Sequence, residues 1–138
     1  MSLEQNLQQE QIDSLDLSDY VSVEIGTSVR RVVEQMRSEN HNCALVTDRG
    51  VLTGIFTDHD ILMKIADNPD TWGLPIDDFI TPSPFTVNGK DSLETALTLR
   101  DERQFRNVPV LDDDGRVVGN LTHYALVKYL ADRLPASA

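Results

Sequence analysis

The sequence predicts a mixed α/β (α+β) fold made of two copies of one unit, each with the element order strand, helix, strand, strand, helix. The first observation behind this prediction is an internal repeat, which aligns at an offset of 64 residues and of 65 after one extra residue near Phe105. The second is the apolar pattern, which alternates between strand-like and helix-like periods in the same order in both copies. The third is a turn motif that ends in glycine at matched positions, 48–50 and 113–115.

Each element of the first copy has a local signal. We predict a strand over 21–23, a helix over 29–37, strands over 43–47 and 51–56, and a helix over 59–66. The first strand alternates apolar and polar residues, whereas the second is a nearly continuous apolar run of the kind found in buried strands. Ser28 is a suitable N-cap for the first helix, and Thr57 or Asp58 for the second.

The second copy repeats these signals. Its predicted strands cover 86–87, 108–111 and 117–121, and its predicted helices cover 93–102 and 124–134. The chain therefore divides into an N-terminal polar segment (1–17), a first unit (18–67), a linker (68–80) and a second unit (81–134). The N-terminal segment is expected to be either a helix or a frayed end. Trp72, in the proline-rich joint between the units, is expected to pack against the fold.

Composition narrows the function classes. A net charge of −11 disfavours nucleic acids and anionic membranes as partners, because their phosphates are repelled. No apolar run approaches the length of a membrane span, and the N-terminus lacks the features of a secretory signal. The single cysteine, Cys43, excludes a disulfide within the chain and lies in an apolar run, so we expect a cytoplasmic protein with an inert buried thiol.

Three motifs, set in two in-register copies of one unit, carry a resemblance to a known family. The run Gly54 to Leu62 (GIFTDHDIL) resembles the signature of CBS domains, in which glycine, two apolar residues and Thr or Ser precede an Asp three positions on. The run 107–112 (NVPVLD) resembles the second strand of that family, and 79–82 (FITP) resembles the approach to its first strand. The resemblance covers about residues 18–134, which is most of the chain.

The resemblance implies a tandem CBS pair, also called a Bateman module. In such a pair the two repeats pack about a pseudo-twofold axis, with two clefts between them. The clefts of many members bind AMP, ADP or ATP, or a relative such as S-adenosylmethionine. Members often form homodimers and regulate an enzyme or a transporter. We therefore expect a non-catalytic sensor that requires no cofactor and takes an adenosyl compound as its regulatory ligand.

The family's Thr-x-x-Asp pair contacts the ribose, and the first copy has both residues as Thr57 and Asp60. An ionised carboxylate only accepts hydrogen bonds, which suits the two hydroxyl donors of a ribose. The second copy has Thr122 but carries Ala125 where the carboxylate is expected. Losing a charge-assisted hydrogen bond costs about 1.5–3 kcal/mol, so we predict a good site at Thr57 and a weaker or empty one at Thr122.

The resemblance also assigns the remaining contacts. His41 in the first copy and Arg106 in the second are the expected phosphate donors, and Arg106 is the stronger because it is always charged. Ile80 and Thr81 are expected to close the first site from the other copy. Ile55 and Ala44 are the expected walls for a base.

Three other interpretations remain open. Thr57 and Asp60 also suit helix caps and nothing more. The whole chain also fits a dimerisation or protein-interaction scaffold with degenerate pockets, which the missing carboxylate at Ala125 favours. The position of Asp60 discriminates between these functions. A carboxylate that faces an open cleft favours the sensor, and one that is paired with a neighbour favours the scaffold. An enzyme is the weakest of the three, since no nucleophile elbow, phosphate-binding glycine loop or paired zinc-ligand motif is present.

Overall fold

Two units with the predicted element order make up the computed structural model, which describes residues 2–82, 84–103 and 105–133. In the first unit, β1 pairs in parallel with β2, and β2 pairs with β3 as an antiparallel hairpin. Its elements are β1 (Val21–Glu24), α2 (Val29–Glu39), β2 (Cys43–Asp48), β3 (Val51–Thr57) and α3 (Asp58–Asp60), with α1 (Leu3–Gln9) preceding them. The mixed α/β class and the tandem arrangement are confirmed.

The second unit repeats the arrangement, with β5 parallel to β6 and β6 antiparallel to β7. Its elements are β5 (Val87–Asn88), α4 (Leu93–Arg103), β6 (Asn107–Leu111), β7 (Val117–Thr122) and α5 (His123–Ala131). The first strand begins one residue later than predicted. The last helix was predicted to reach Leu134, which lies outside the described residues.

Local chemistry explains the boundaries of α2. The Ser28 hydroxyl accepts from the backbone N–H of Arg31 at 3.2 Å, which caps the helix as predicted. Val29, Val32 and Met36 are buried along one face, so tertiary packing stabilises the helix. Asn40 ends it in the left-handed conformation with φ 59°, a geometry that asparagine tolerates better than most residues.

The second helical segment of the first unit differs from the prediction. Only Asp58–Asp60 forms an α-helical turn, and Ile61–Ile65 continues as a π-helix in which the Ala66 N–H donates to the Ile61 carbonyl at 2.8 Å. The corresponding segment of the second unit, α5, is a regular α-helix. Because a π turn depends on a shift in backbone pairing and not on apolar periodicity, the sequence pattern does not reveal it.

Each unit is completed by the chain segment that leads into the other unit. We call residues 15–19 and 79–82 the lead-in segments. The strand β4 (Thr81–Pro82) pairs antiparallel with β3, while the Asn120 N–H of β7 donates to the Leu17 carbonyl at 2.9 Å. This reciprocal exchange places both lead-in segments between the units.

The remaining segments pack against one unit each. Ile12, in the N-terminal polar segment, is fully buried in the core of the second unit, and its N–H donates to the Asp91 carbonyl at 2.8 Å. Trp72, in the linker, packs against the core of the first unit, as predicted, and lies under the Arg30 guanidinium. None of the helices in the described part of the chain has the length and hydropathy that a membrane span requires.

Candidate functional site

A cavity of about 630 Å³ lies between the two units. The first unit and its lead-in segment contribute Asp19, Asn42, Cys43 and Asp58; the second contributes Phe105, Arg106, Asn107, Thr122, His123 and Tyr124. Asn42 matches Asn107 in the repeat, so equivalent residues of both units face the same space. The two units therefore contribute equivalent residues to the wall of one cavity.

The residues predicted for the weaker site line this cavity together. Thr122 stands at the end of β7 as the N-cap of α5, and its hydroxyl accepts from the Ala125 N–H at 3.0 Å. Arg106 precedes β6, and its carbonyl accepts from the His123 N–H at 3.2 Å. This backbone bond holds the start of α5 against the start of β6. A cationic guanidinium and a helix start thus border one space.

The residues predicted for the stronger site form a helix cap. The Thr57 N–H donates to Asp60 Oδ2 at 2.9 Å, and the two residues complete a capping box. Asp60 is buried, and its Oδ1 lies 3.1 Å from Lys64 Nζ. Asp60 therefore has a paired neighbour. Ribose binding by Thr57 and Asp60 stays a prediction, and the cap is the role that the contacts display.

His41 has a carboxylate partner, Asp19. Its Nδ1 lies 2.7 Å from Asp19 Oδ1. Asp19 belongs to the lead-in segment and lines the cavity at Thr122, so the predicted phosphate donor of the first site contacts a residue of that cavity. The carboxylate occupies only Nδ1 and leaves Nε2 as the ring nitrogen that can donate to a phosphate.

The predicted walls lie on different faces of the first sheet. Ala44 is fully buried in the core of the first unit, and its role as a wall for a base stays a prediction that this burial disfavours. Strand alternation explains this, because Ala44 and Cys43 are neighbours and point to opposite faces. Ile55 belongs to the apolar cluster between the units, beside Cys43. Thr81 pairs with Ile55, and Ile80 packs against the first core.

The model of the CBS domain family matches the chain twice, over residues 12–67 and 76–132. The chain belongs to the CBS-domain family. The two matches in tandem make it a CBS pair, and the two units are its CBS repeats.

Two curated relatives show the extent of the similarity. The CBS pair is 36% identical over 81 residues to the CBS domain-containing protein CBSX2 of Arabidopsis thaliana, covering 55% of this chain and 34% of that protein. It is 30% identical over 101 residues to the meiotically up-regulated gene 70 protein of Schizosaccharomyces pombe, covering 72% of this chain and 14% of that protein. The chain thus spans between 14% and 34% of the length of these two relatives.

Solved structures share the fold of the CBS pair. The crystal structure of CBSX2 in complex with AMP has a TM-score of 0.77 and 27% identity, covering 88% of this chain and 96% of that chain. The CBS domain pair of protein MJ0100, solved in complex with 5′-methylthioadenosine and S-adenosyl-L-methionine, has a TM-score of 0.78 at 21% identity, covering 91% of this chain and 98% of that chain. The second similarity establishes the fold alone.

Sequence reasoning missed several residues that line the cavity of the CBS pair. Asp19 and Asp58 were not assigned to a ligand site. Asp19 lies just before the first predicted strand, and Asp58 lies between a predicted strand and a predicted helix. Asn42 and Asn107 are identical at matched positions of the repeat, a signal that was available in the sequence. Asn120, behind the cavity wall, donates through Nδ2 to the Asp19 carbonyl and to Asn107 Oδ1, both at 3.0 Å. No local pattern predicts bonds over such separations.

Cys43 forms an unreactive part of the cavity wall. It is 1% exposed, and burial raises the pKa of its thiol to about 12, with smaller contributions from the nearby carboxylates of Asp19, Asp58 and Asp60. A thiol with so high a pKa holds its proton at neutral pH and is a poor nucleophile. The prediction that Cys43 is buried is confirmed, and its inertness stays a prediction that the raised pKa supports.

Proposed function

We propose that this CBS pair is a non-catalytic regulatory module that binds an adenosyl ligand in the cavity between its repeats. The observation that carries the proposal is the cavity itself. Its volume of about 630 Å³ falls within the range of small-molecule sites, which is roughly 300–1,000 Å³. Its wall combines an aromatic ring, Phe105, with a cation, Arg106, and carboxylates. A base, a phosphate and a ribose each require one of these groups.

The comparisons support the ligand class. CBSX2, with 27% identity, was solved with AMP. The MJ0100 pair, similar in fold, was solved with two adenosyl compounds. AMP, ADP, ATP and S-adenosylmethionine are therefore the candidates for this chain.

Charge ranks these candidates. Arg106 is the only Lys or Arg among the described residues that line the cavity, whereas Asp19 and Asp58 contribute two carboxylates. Each additional phosphate brings negative charge into a space where one guanidinium opposes it. We therefore expect AMP to bind more tightly than ATP.

Regulation follows from the position of the cavity. Because residues of both repeats line it, a ligand that contacts both favours one relative arrangement of the repeats over others. A partner that recognises that arrangement then senses the ligand. The partner class we propose is an enzyme or a transporter, in the cytoplasm, with the module acting as a homodimer.

A second candidate function is a dimerisation or interaction scaffold without a ligand. Three observations favour it. The second repeat has Ala125 in place of the ribose-binding carboxylate, and Asp60 of the first repeat is already paired with Lys64. Apolar side chains are also exposed on helical segments of both repeats: Leu62, Met63, Tyr124 and Val127.

Calorimetric titration of AMP, ADP, ATP, S-adenosylmethionine and adenosine distinguishes these functions. We expect saturable binding of AMP, with Arg106→Gln lowering the affinity for AMP about tenfold or more and leaving adenosine unchanged, because adenosine has no phosphate. Arg37→Gln, which removes a charge from α2 away from the cavity, is the matched control. If none of the five compounds binds to folded protein, the scaffold is the correct function.

A further inference from the structure

We propose that Asp19 supplies the ribose-binding carboxylate of this cavity, in place of the carboxylate that Ala125 cannot provide. This inference rests on the proposed function and assigns its ribose subsite. The recognised chemical group is the vicinal 2′,3′-diol of a ribonucleoside. The carboxylate comes from the lead-in segment of the first repeat, while the helix start at Thr122 comes from the second.

The position of Asp19 fits this role. It lines the same cavity as Thr122 and Arg106, and its side chain is 53% exposed. Its Oδ1 lies 2.7 Å from His41 Nδ1, which orients the carboxylate and leaves Oδ2 for a second donor. An ionised carboxylate accepts at both oxygens and donates at neither, so a pair of hydroxyl donors is its matching ligand group.

Asn120 fixes the backbone of Asp19 beneath the cavity. Asn120 is fully buried, and its Nδ2 donates to the Asp19 carbonyl and to Asn107 Oδ1. Among the described residues, Asn120 Oδ1 has no hydrogen-bond partner. An unpaired buried acceptor is costly, so a buried amide at this position must have a compensating use. Holding two cavity residues, Asp19 and Asn107, at once is such a use.

Comparison of the two repeats shows that only the second has a buried amide at this position. The residue that matches Asn120 in the first repeat is Ile55, which lies in the apolar cluster between the repeats and has no side-chain hydrogen bond to offer. The two lead-in segments therefore meet their sheets through different chemistry. The segment 79–82 is held at Ile55 by backbone pairing alone. The segment 15–19 is held by a backbone hydrogen bond and also by the buried amide of Asn120.

Asp58 is the competing carboxylate. It also lines the cavity, but its Oδ1 accepts from the His59 N–H at 2.8 Å in the first turn of α3. Asp60 is the carboxylate that the family signature favours. These two residues are the alternatives of the same chemical type that the test must exclude.

The test measures the ratio of the affinities for AMP and for 2′,3′-dideoxy-AMP by calorimetry. We expect wild-type protein to prefer AMP by about tenfold or more, and Asp19→Asn to bring the ratio close to one. Asp48→Asn, at an exposed position that does not line the cavity, should retain the wild-type ratio, while Asp58→Asn and Asp60→Asn test the two competing carboxylates. Asn120→Ile, which installs the residue of the first repeat, should reduce the ratio because Asp19 loses its support. The ratio cancels general effects on folding, since both ligands share base and phosphate.

The outcomes separate the two proposals. If AMP binds and Asp19→Asn keeps the preference for the ribose, the assignment of Asp19 is wrong while the proposed function stands. Loss of the preference in Asp60→Asn or Asp58→Asn alone would place the ribose elsewhere and overturn the assignment too. Absence of AMP binding to folded wild-type protein would overturn the proposed function and this assignment together.

Discussion

Single residues make the two halves of this CBS pair unequal. At three matched positions the first repeat has His41, Ile55 and Asp60, whereas the second has Arg106, Asn120 and Ala125. Each difference changes a charge or a hydrogen-bonding group next to the lead-in segments. The two clefts therefore offer a ligand different sets of hydrogen-bond donors and acceptors. A preference for one cleft follows from side chains, although the backbones repeat.

Cys43 provides a prediction about pH at the residue scale. Its pKa is raised from 9.0 to about 12 by burial, so the folded state holds the thiol proton at a pH where the unfolded state releases it. This contribution to stability is complete below pH 9 and is lost as the pH rises toward 12. We expect the free energy of unfolding of wild-type protein to fall more steeply above pH 9 than that of Cys43→Ala, by up to about 1.4 kcal/mol per pH unit.

Urea unfolding of both proteins at several pH values between 8 and about 10.5 measures this difference. Tyrosines and lysines titrate in both, so their contributions cancel between the two proteins. Identical slopes would show that the thiol ionises as readily in the folded state as in the unfolded state.

At the scale of elements, the reciprocal pairing of lead-in segments joins the repeats. Two glycines permit it. A Cβ on Gly54 would lie 2.6 Å from Ile80 Cδ1 and 2.8 Å from the Thr81 carbonyl oxygen, and one on Gly119 would lie 2.9 Å from the Leu17 carbonyl oxygen. Backbone atoms cannot yield as a flexible side chain can, so these positions require glycine for the close approach of two chains.

We therefore expect Gly119→Ala and Gly54→Ala each to destabilise the protein by about 1–3 kcal/mol, the usual cost of overpacking. Gly73→Ala is the matched control, because a Cβ there would meet nothing within 4 Å. Urea unfolding measures all three variants. If Gly119→Ala is as stable as wild type, the lead-in segment is not held against β7 in the way described.

The sequence predicts the elements better than their assembly. The cap at Ser28, the buried run of β2 and the hairpin turn before Val51 are local signals, and the structure confirms all three. The pairing of Leu17 with Asn120 spans about a hundred residues and leaves no periodic trace. The place of the cavity depends on that pairing. For this reason a motif at Thr57 drew attention to one cleft, while the described cavity lies at Thr122.

At the scale of the whole molecule, exposed apolar side chains occupy helical segments of both repeats. Leu62 and Met63 are each 69% exposed, and Tyr124 is 71% exposed. Leu62 matches Val127 in the repeat, which is also exposed. Burying such side chains against a second copy stabilises a dimer through the hydrophobic effect.

We expect the protein to sediment as a dimer, and the double variant Leu62→Glu with Val127→Glu to sediment as a monomer, since each buried carboxylate would lack a partner. Analytical ultracentrifugation measures the change. The control is Leu74→Glu, which adds the same charge at an exposed linker position. A dimer that withstands the double variant would mean that another surface joins the subunits.

We propose above that an adenosyl ligand occupies the cavity at Thr122 and Arg106. The most direct measurement is a titration of AMP into ¹⁵N-labelled protein, followed by the amide resonances in two-dimensional NMR. We expect saturable shifts concentrated at cavity residues of both repeats, with Asn42, Asn107 and His123 as reporters. Spectra of folded protein that do not change with AMP, or shifts confined to the amides of Thr57 and Asp60, would contradict it.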